Sequence, residues 1–445
     1  MNSEAQIIIY NTPARSKLIM LERYRESKTG VLIVSSLAVF TDMVIYGVIM
    51  PIIKEIIEKY PEFSEKDVIM AQGALPAVYA AGLLIFTPIF GSLSDRYKTR
   101  KVPMLLGQIL LATSTLMFAF AHSFTICLIA RFMQGIAGAA TWVVGMAMLA
   151  DVFSGPDLGF YMGIVFSCHN LGFFLGPLIG GFFHDNFGMQ SPFYICTALA
   201  MLDFFGRLWI KEPKISDEVN SQSDLPVLQK SSGLSMLQLA GKSEVILLNI
   251  VIAMKAASFS SLESMLEIHL NKHFNYTPSQ TSLVFLAFIL PNILAVTIVG
   301  WISGRIRRYL IITVGLVLHP FAAPLITSTS NVNLIILGGV FFGITLSIAG
   351  SPVSPELAEI VKSYGGASYA RIYGILNISY SFGILVGPII VGYISKKTNM
   401  FVAMIGLTSC TLIYSPYFYL KMQKLYEKRL IRIEKLTKLN EKLLK

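Results

Sequence analysis

Long apolar runs separated by short polar segments fill most of this chain. An apolar run of about twenty residues is long enough to cross a bilayer as a helix. In lipid the helix is also obligatory, because the backbone has no water to bond to. Twelve such spans are predicted, at 30–53, 70–92, 102–121, 124–150, 159–183, 191–210, 244–268, 280–302, 309–328, 332–352, 369–394 and 399–420. A polar stretch at 211–243 divides them six and six and reads as a flexible linker. The expected fold class is therefore an all-α membrane protein with twelve transmembrane helices in two pseudo-symmetric six-helix bundles, 30–210 and 244–420. An N-tail (1–29) and a basic C-tail (421–445) flank them. Apolar Leu425, Ile431, Ile433, Leu436, Leu439 and Leu443 make the C-tail a candidate amphipathic helix on the inner leaflet, or a plain solvated one.

One device recurs in both halves. Gly172-Phe-Phe-Leu-Gly176-Pro177-Leu-Ile-Gly180-Gly181 is matched by Gly383-Ile-Leu-Val-Gly387-Pro388-Ile-Ile-Val-Gly392. Glycines four apart share a helix face and admit a neighbouring backbone, while proline bends the helix. Matching breaks in two halves imply a duplicated transporter.

Composition narrows the class. The chain is 54% hydrophobic and 14% charged, against about a quarter charged in soluble domains. Cys127, Cys168, Cys196 and Cys410 all lie in spans without metal-ligand spacing, and free thiols and no metal are expected. No cleavable signal peptide is expected, because the first apolar run is too long and the segment before it is charged. Lys and Arg gather in the N-tail, at Arg96, Lys98, Arg100 and Lys101, at Arg305, Arg307 and Arg308, and in the C-tail. By the positive-inside rule these segments and both termini are cytoplasmic. The net charge of +10 is thereby ordinary membrane topology, and no nucleic-acid partner is expected.

Four motifs carry a family resemblance. Gly91-Ser-Leu-Ser-Asp95-Arg96-Tyr-Lys98-Thr-Arg100-Lys101 joins spans 2 and 3, and Arg131-Phe-Met-Gln134-Gly135-Ile-Ala-Gly138 lies in span 4. The cluster ending Gly180-Gly181 lies in span 5, and Asp42-Met-Val-Ile-Tyr-Gly-Val-Ile-Met-Pro51 in span 1. Together they resemble the major facilitator superfamily, in its twelve-span drug:proton antiporter group. Within that group the chain looks most like a fungal relative of the vesicular amine transporters. The first motif departs where the family usually has a second glycine and this chain has Lys98. Its second-half counterpart, Gly300-Trp-Ile-Ser-Gly304-Arg305, lacks the acidic residue. The resemblance makes Gly91, Asp95, Arg96, Arg100 and Asp151 an inner gate. It makes Gly172, Gly176, Pro177, Gly180, Gly387 and Pro388 the flexing points.

Ionisable side chains inside spans are costly and usually functional. Asp42 lies about 18 Å from the inner end of span 1, at 1.5 Å per residue. Lys255 sits at a similar depth in span 7, and Arg131 and Glu263 lie in the outer halves of spans 4 and 7. The four sum to zero and are candidates to neutralise one another in a central cavity, either as a structural cluster or as a proton-switching one. The resemblance supports Asp42, Arg131 and Glu263 in coupling and substrate recognition. Lys255 lies outside that pattern and is a candidate to neutralise Asp42, to attract an anionic substrate, or to snorkel toward water.

Departures from the resemblance bear on the substrate. The amine transporters carry an acid where this chain has Ser347, and a lysine–aspartate pair where it has Tyr79 and Asn377. Loss of both partners avoids an orphaned buried charge, and loss of the acids speaks against a cationic amine. His169, in span 5, is a packing residue or a substrate ligand, and Asp203 and Arg207 read as a local ion pair. Tyr46, Trp142, Phe166, Tyr373 and Tyr380 are candidates to line the cavity.

The expected activity is secondary transport, not enzymatic catalysis. A proton-coupled antiporter would export a small organic compound or drug by alternating access, using the proton gradient and no cofactor. The alternative is a proton-coupled importer of an organic anion or nutrient. The expected partners are the substrate, protons and the bilayer of a plasma or vacuolar/vesicular membrane, with the protein as a monomer.

Overall fold

The computed structural model describes residues 27–49, 52–58, 65–153, 155–210, 234–276, 278–364 and 368–443. The N-tail before residue 27 and the linker from 211 to 233 lie outside the described residues. The first bundle comprises α1 (Lys28–Val48), α2 (Glu65–Tyr97), α3 (Lys101–Ala119), α4 (Phe124–Val152), α5 (Leu158–Phe187) and α6 (Ser191–Trp209). The second comprises α7 (Ser243–Phe274), α8 (Pro278–Ile302), α9 (Arg308–Leu318), α10 (Val332–Gly350), α11 (Tyr369–Lys397) and α12 (Met400–Leu443). Helical turns at His319–Ala322 and Ala323–Ile326 prolong α9, and Val353–Ser363 follows α10. Eleven of the helices among the described residues are long and apolar enough to cross a membrane. The remaining one, α6, carries Asp203 and Arg207, which are buried against each other and face no lipid.

Polar side chains mark where the helices begin. Ser27 accepts a hydrogen bond from the Gly30 amide at 2.9 Å, and Ser123 and Asn331 cap α4 and α10 in the same way. These caps satisfy orphan amides at the membrane boundary. The bundles repeat one another: α1 packs on α5, α2 on α4 and α3 on α6, as α7 packs on α11, α8 on α10 and α9 on α12. Between bundles, α5 crosses α8 and α2 crosses α11.

The duplicated glycines make the first of these pairings possible. A Cβ on Gly176 would stand 2.7 Å from the Val44 carbonyl and 3.0 Å from the Gly47 Cα. A Cβ on Gly387 would stand 2.6 Å from the Ala257 Cα of α7. Gly172 and Gly180 meet the Phe40 and Val48 carbonyls of α1 in the same register. Pro177 lies inside α5 with its Cδ against Gly47, and Pro388 occupies the matching place in α11. Backbone borders these sites, so an added methyl cannot be absorbed by a rotamer change. Gly176→Ala is expected to destabilise the protein by about 1–3 kcal/mol, the usual cost of overpacking. Thermal unfolding in detergent measures this, and an unchanged melting temperature would mean that α1 and α5 are not so closely held.

Two segments differ from expectation. The linker is ordered from Leu234 onward: Ser235 closes a capping box on Met236–Ala240, and Leu239 is buried in the inner core. The Leu234 carbonyl accepts from the Arg371 guanidinium at 2.9 Å and from the Ser368 hydroxyl at 3.2 Å. Beyond residue 420 the chain continues α12 without a break instead of forming a separate surface helix. Tyr426 packs on Tyr309, and Arg429 turns inward to an ion pair, which holds this extension beneath the second bundle.

Candidate functional site

The end of the bundles that carries Lys28 and the α12 extension, the inner end by the positive-inside expectation, is held together by charge. Arg100 donates to Asp95 and to Asp151, each at 2.8 Å. Burial alone would lower the Arg100 pKa, but the two carboxylates more than offset it and hold it above its ordinary value. Asp95 then crosses to the other bundle. Its two oxygens accept from the backbone amides of Ala370 at 3.1 Å and Arg371 at 2.9 Å, in the first turn of α11. The positive end of a helix and an aspartate suit each other. Gly91 permits the approach, because a Cβ there would stand 2.9 Å from the Ala370 carbonyl. Arg96 does not share in this gate: it is exposed and rests near its own neighbour Tyr97, because the helix turn that buries Asp95 points the next residue outward.

Lys98 has a positive φ of 51°, a conformation costing a non-glycine residue about 1–2 kcal/mol. The usual family glycine would avoid this cost. Lys98→Gly is expected to stabilise the protein by up to about 1 kcal/mol, the gain being reduced by glycine's freedom in the unfolded chain. A lower melting temperature would contradict this.

The second half has a gate of its own, which the sequence pattern hid. Gly304 has no carboxylate, but Glu356 supplies one from the segment after α10, as Asp151 does at the end of α4. Arg308 meets Glu356 at 3.3 Å, and Arg429 meets Glu356 at 2.7 Å and Glu244 at 3.3 Å. Arg308 also donates to the Gly155 carbonyl at the entrance to α5, joining the bundles. An acid just beyond the end of span 10, as Asp151 lies just beyond span 4, was the available signal.

The four membrane-embedded charges do not neutralise one another: among the described residues they form no ion pair. Asp42 is buried, and both its oxygens lack a hydrogen-bond partner among the described residues. The Tyr79 hydroxyl, also unpartnered, faces the same point: a Cβ on Gly138 would stand 2.7 Å from it and 3.4 Å from the Asp42 Oδ2. Arg131 is buried, donates to Gln134 at 3.0 Å and to the Tyr46 carbonyl at 3.2 Å, and lies over the Tyr46 and Phe118 rings. Glu263 is exposed on the outer half of α7 although protein surrounds it, with Tyr46 and Tyr380 close by. Lys255 is half-buried and lies across Gly350 of α10. The charges stay apart by depth: Asp42 lies beside Gly138, about 10 Å along α4 from Arg131, and Glu263 stands about 12 Å along α7 from Lys255.

Polar contacts join the bundles at this level. Asn170 of α5 donates to Asn292 of α8 at 2.6 Å, and Asn292 donates to Ser347 of α10 at 2.9 Å. Ser347 is thus a link in a chain of neutral hydrogen bonds. His169 bonds Asn170 and stands edge-on to Trp142, with ring centroids 4.8 Å apart. Asn377 does not meet Tyr79. It donates to Thr87 at 2.8 Å, two turns further along α2. Asn170 and Asn292 were missed by sequence reasoning, since a lone asparagine in an apolar run carries no spacing signal.

These two bundles, joined by charged and polar contacts between them, define a class. A family model described as Major Facilitator Superfamily matches residues 32–388 and again 248–438. The chain belongs to that superfamily of membrane transporters. An uncharacterized MFS-type transporter of Schizosaccharomyces pombe is 25% identical over 403 residues, covering 82% of this chain and 89% of that protein. The human synaptic vesicular amine transporter is 26% identical over 361 residues, covering 80% of this chain and 68% of that protein. Among solved structures, the human organic anion transporter MFSD10 (TETRAN) superposes with a TM-score of 0.71 at 18% identity, covering 87% of this chain and 99% of that one. That likeness concerns the fold.

Proposed function

We propose that this protein is a proton-coupled antiporter that moves a small organic compound out of the cytosol by alternating access. The observation that carries the proposal is Asp42: a carboxyl group buried in α1 facing Gly138 and Tyr79, with no hydrogen-bond partner among the described residues. A buried carboxylate without a partner is costly, and a carboxyl that takes or gives up a proton as the chamber changes sides is a natural coupling element. Glu263, reachable from the outer half, is the second candidate proton site. Similarity to a synaptic vesicular amine transporter supports transport of a small organic compound across a vesicular membrane.

The inner gate supports the cycle. In the closed form Asp95 and Arg100 hold α2, α4 and α11 together, and Arg308 ties the second bundle to the entrance of α5. Rupture of these contacts would let the bundles rock and expose the chamber inward. The test is flux in proteoliposomes under an imposed pH gradient, with a panel of labelled organic anions, neutral compounds and amines. Accumulation of a panel compound that follows the gradient is expected, with dissipation by a protonophore. Flux indifferent to the gradient would reject proton coupling and leave a facilitator.

A further inference from the structure

We propose that Lys255 binds an anionic group of the transported compound, so that the chamber accepts organic anions in preference to amines; this rests on the chamber being the transport site. Among the described residues Lys255 has no ion pair and no hydrogen bond, whereas Arg100, Arg207, Arg308 and Arg429 each hold a carboxylate. Arg131 is held differently, by an amide, a carbonyl and two rings, and its Nε has no partner among the described residues. Among the described residues Lys255 is thus a membrane-embedded cation with neither an anion nor a hydrogen bond, and a half-buried ammonium gains from an anion.

The surroundings suit such a guest. Gly350 leaves room for the lysine: a Cβ there would stand 2.6 Å from both its Cδ and its Nζ. His169, within electrostatic reach of Lys255, and the Asn170–Asn292 pair supply neutral polar groups from the opposite bundle. The Trp142 ring, packed on His169 and on Phe166, supplies an apolar wall. The acids do not compete for the lysine. Asp42 turns toward Tyr79 and Gly138 in the first bundle, and Glu263 stands beside Tyr46 and Tyr380. A cation, amide groups and an aromatic wall recognise a compact organic carboxylate; an ammonium would meet the lysine as a like charge.

Trp142 makes the proposal measurable. With Trp209→Phe and Trp301→Phe, its fluorescence alone reports the chamber, since these are the chain's three tryptophans. Phenylacetate, phenylacetamide and phenethylamine, which differ in the charged group, serve as the probes. Phenylacetate is expected to quench saturably and to bind at least about tenfold more tightly than phenethylamine, the scale of one charge-assisted hydrogen bond. Lys255→Met should erase that preference while leaving phenylacetamide binding unchanged, and Lys255→Arg should retain it. Gly350→Ala keeps the charge but displaces it, and should also weaken phenylacetate. A preference for the amine, a carboxylate preference that survives Lys255→Met, or no saturable quenching by phenylacetate would each overturn the proposal. Labelled phenylacetate in proteoliposomes separates the two readings. Lys255-dependent binding without flux would count against the transport reading alone. Flux with a preference unaltered in Lys255→Met would count against the anion subsite alone.

Discussion

Asp42→Asn is expected to abolish proton-driven accumulation while leaving the protein as stable as the parent. The two halves of that expectation have one cause. The Asp42 oxygens accept no hydrogen bond among the described residues, so an isosteric amide forfeits no contact. Stability should therefore stay close to that of the parent, since no hydrogen bond among the described residues is lost. What the amide cannot do is carry a proton between the two sides of the membrane. Transport of the variant should fall to simple equilibration, with no dependence on the imposed gradient. Thermal unfolding and pH-driven uptake, measured on one preparation, decide the matter. Full gradient-driven uptake in a well-folded variant would remove Asp42 from coupling and leave Glu263 as the candidate. Asp203→Asn provides the contrast: it breaks the buried pair with Arg207, whose contacts are 2.6 and 3.1 Å, and is expected to lower stability.

Asp95→Ala should open the inner gate. In the closed form one buried carboxylate holds Arg100 and two amides of α11, at 2.8, 3.1 and 2.9 Å. The Arg100 pair lies within the first bundle and is lost from both forms, whereas the two amide contacts cross to α11 and, at about 1.5–3 kcal/mol for each hydrogen bond to a charged group, fall on the closed form alone. Even 3 kcal/mol is more than about a hundredfold in the equilibrium between forms. A cysteine at position 374 reads the outcome in a chain whose own cysteines are replaced. An added Cβ there meets Met236 at 3.2 Å and Thr87 at 3.6 Å, so it is sealed while the gate is shut. Faster labelling by an impermeant maleimide from the inner side is expected in the variant, with slower turnover and little change in binding. Equal labelling in variant and parent would show that Asp95 is not the lock. The corresponding Arg96 variant should behave as the parent, because Arg96 is exposed and outside the ion-pair network.

Much of this architecture is legible in the amino-acid sequence alone. Twelve apolar runs, their six-and-six division and the repeated Gly-Pro clusters are local patterns. Lipid leaves a long apolar run only one backbone solution, and glycine spacing on a helix is periodic. The Asp203–Arg207 pair is legible for the same reason, being four residues apart on one helix. The inner gate is half legible: Asp95, Arg100 and Asp151 follow from the motif.

What only the tertiary structure decided is which distant groups meet. The ligands of Asp95 on α11 are backbone amides, 275 and 276 residues away, and amides carry no sequence signature. Glu356 meets Arg308 from a separate helix, a pairing that the second motif, lacking its own acid, does not announce. The same holds for Arg429, which drew the C-tail inward instead of along the bilayer surface. The embedded charges sum to zero on paper, yet Coulomb attraction acts over ångströms. Rotation of a helix face separates residues that share a depth. The chain alone therefore specified the helices and half of the charged closure, and packing decided that Asp42 and Lys255 meet no hydrogen-bond or ion-pair partner among the described residues.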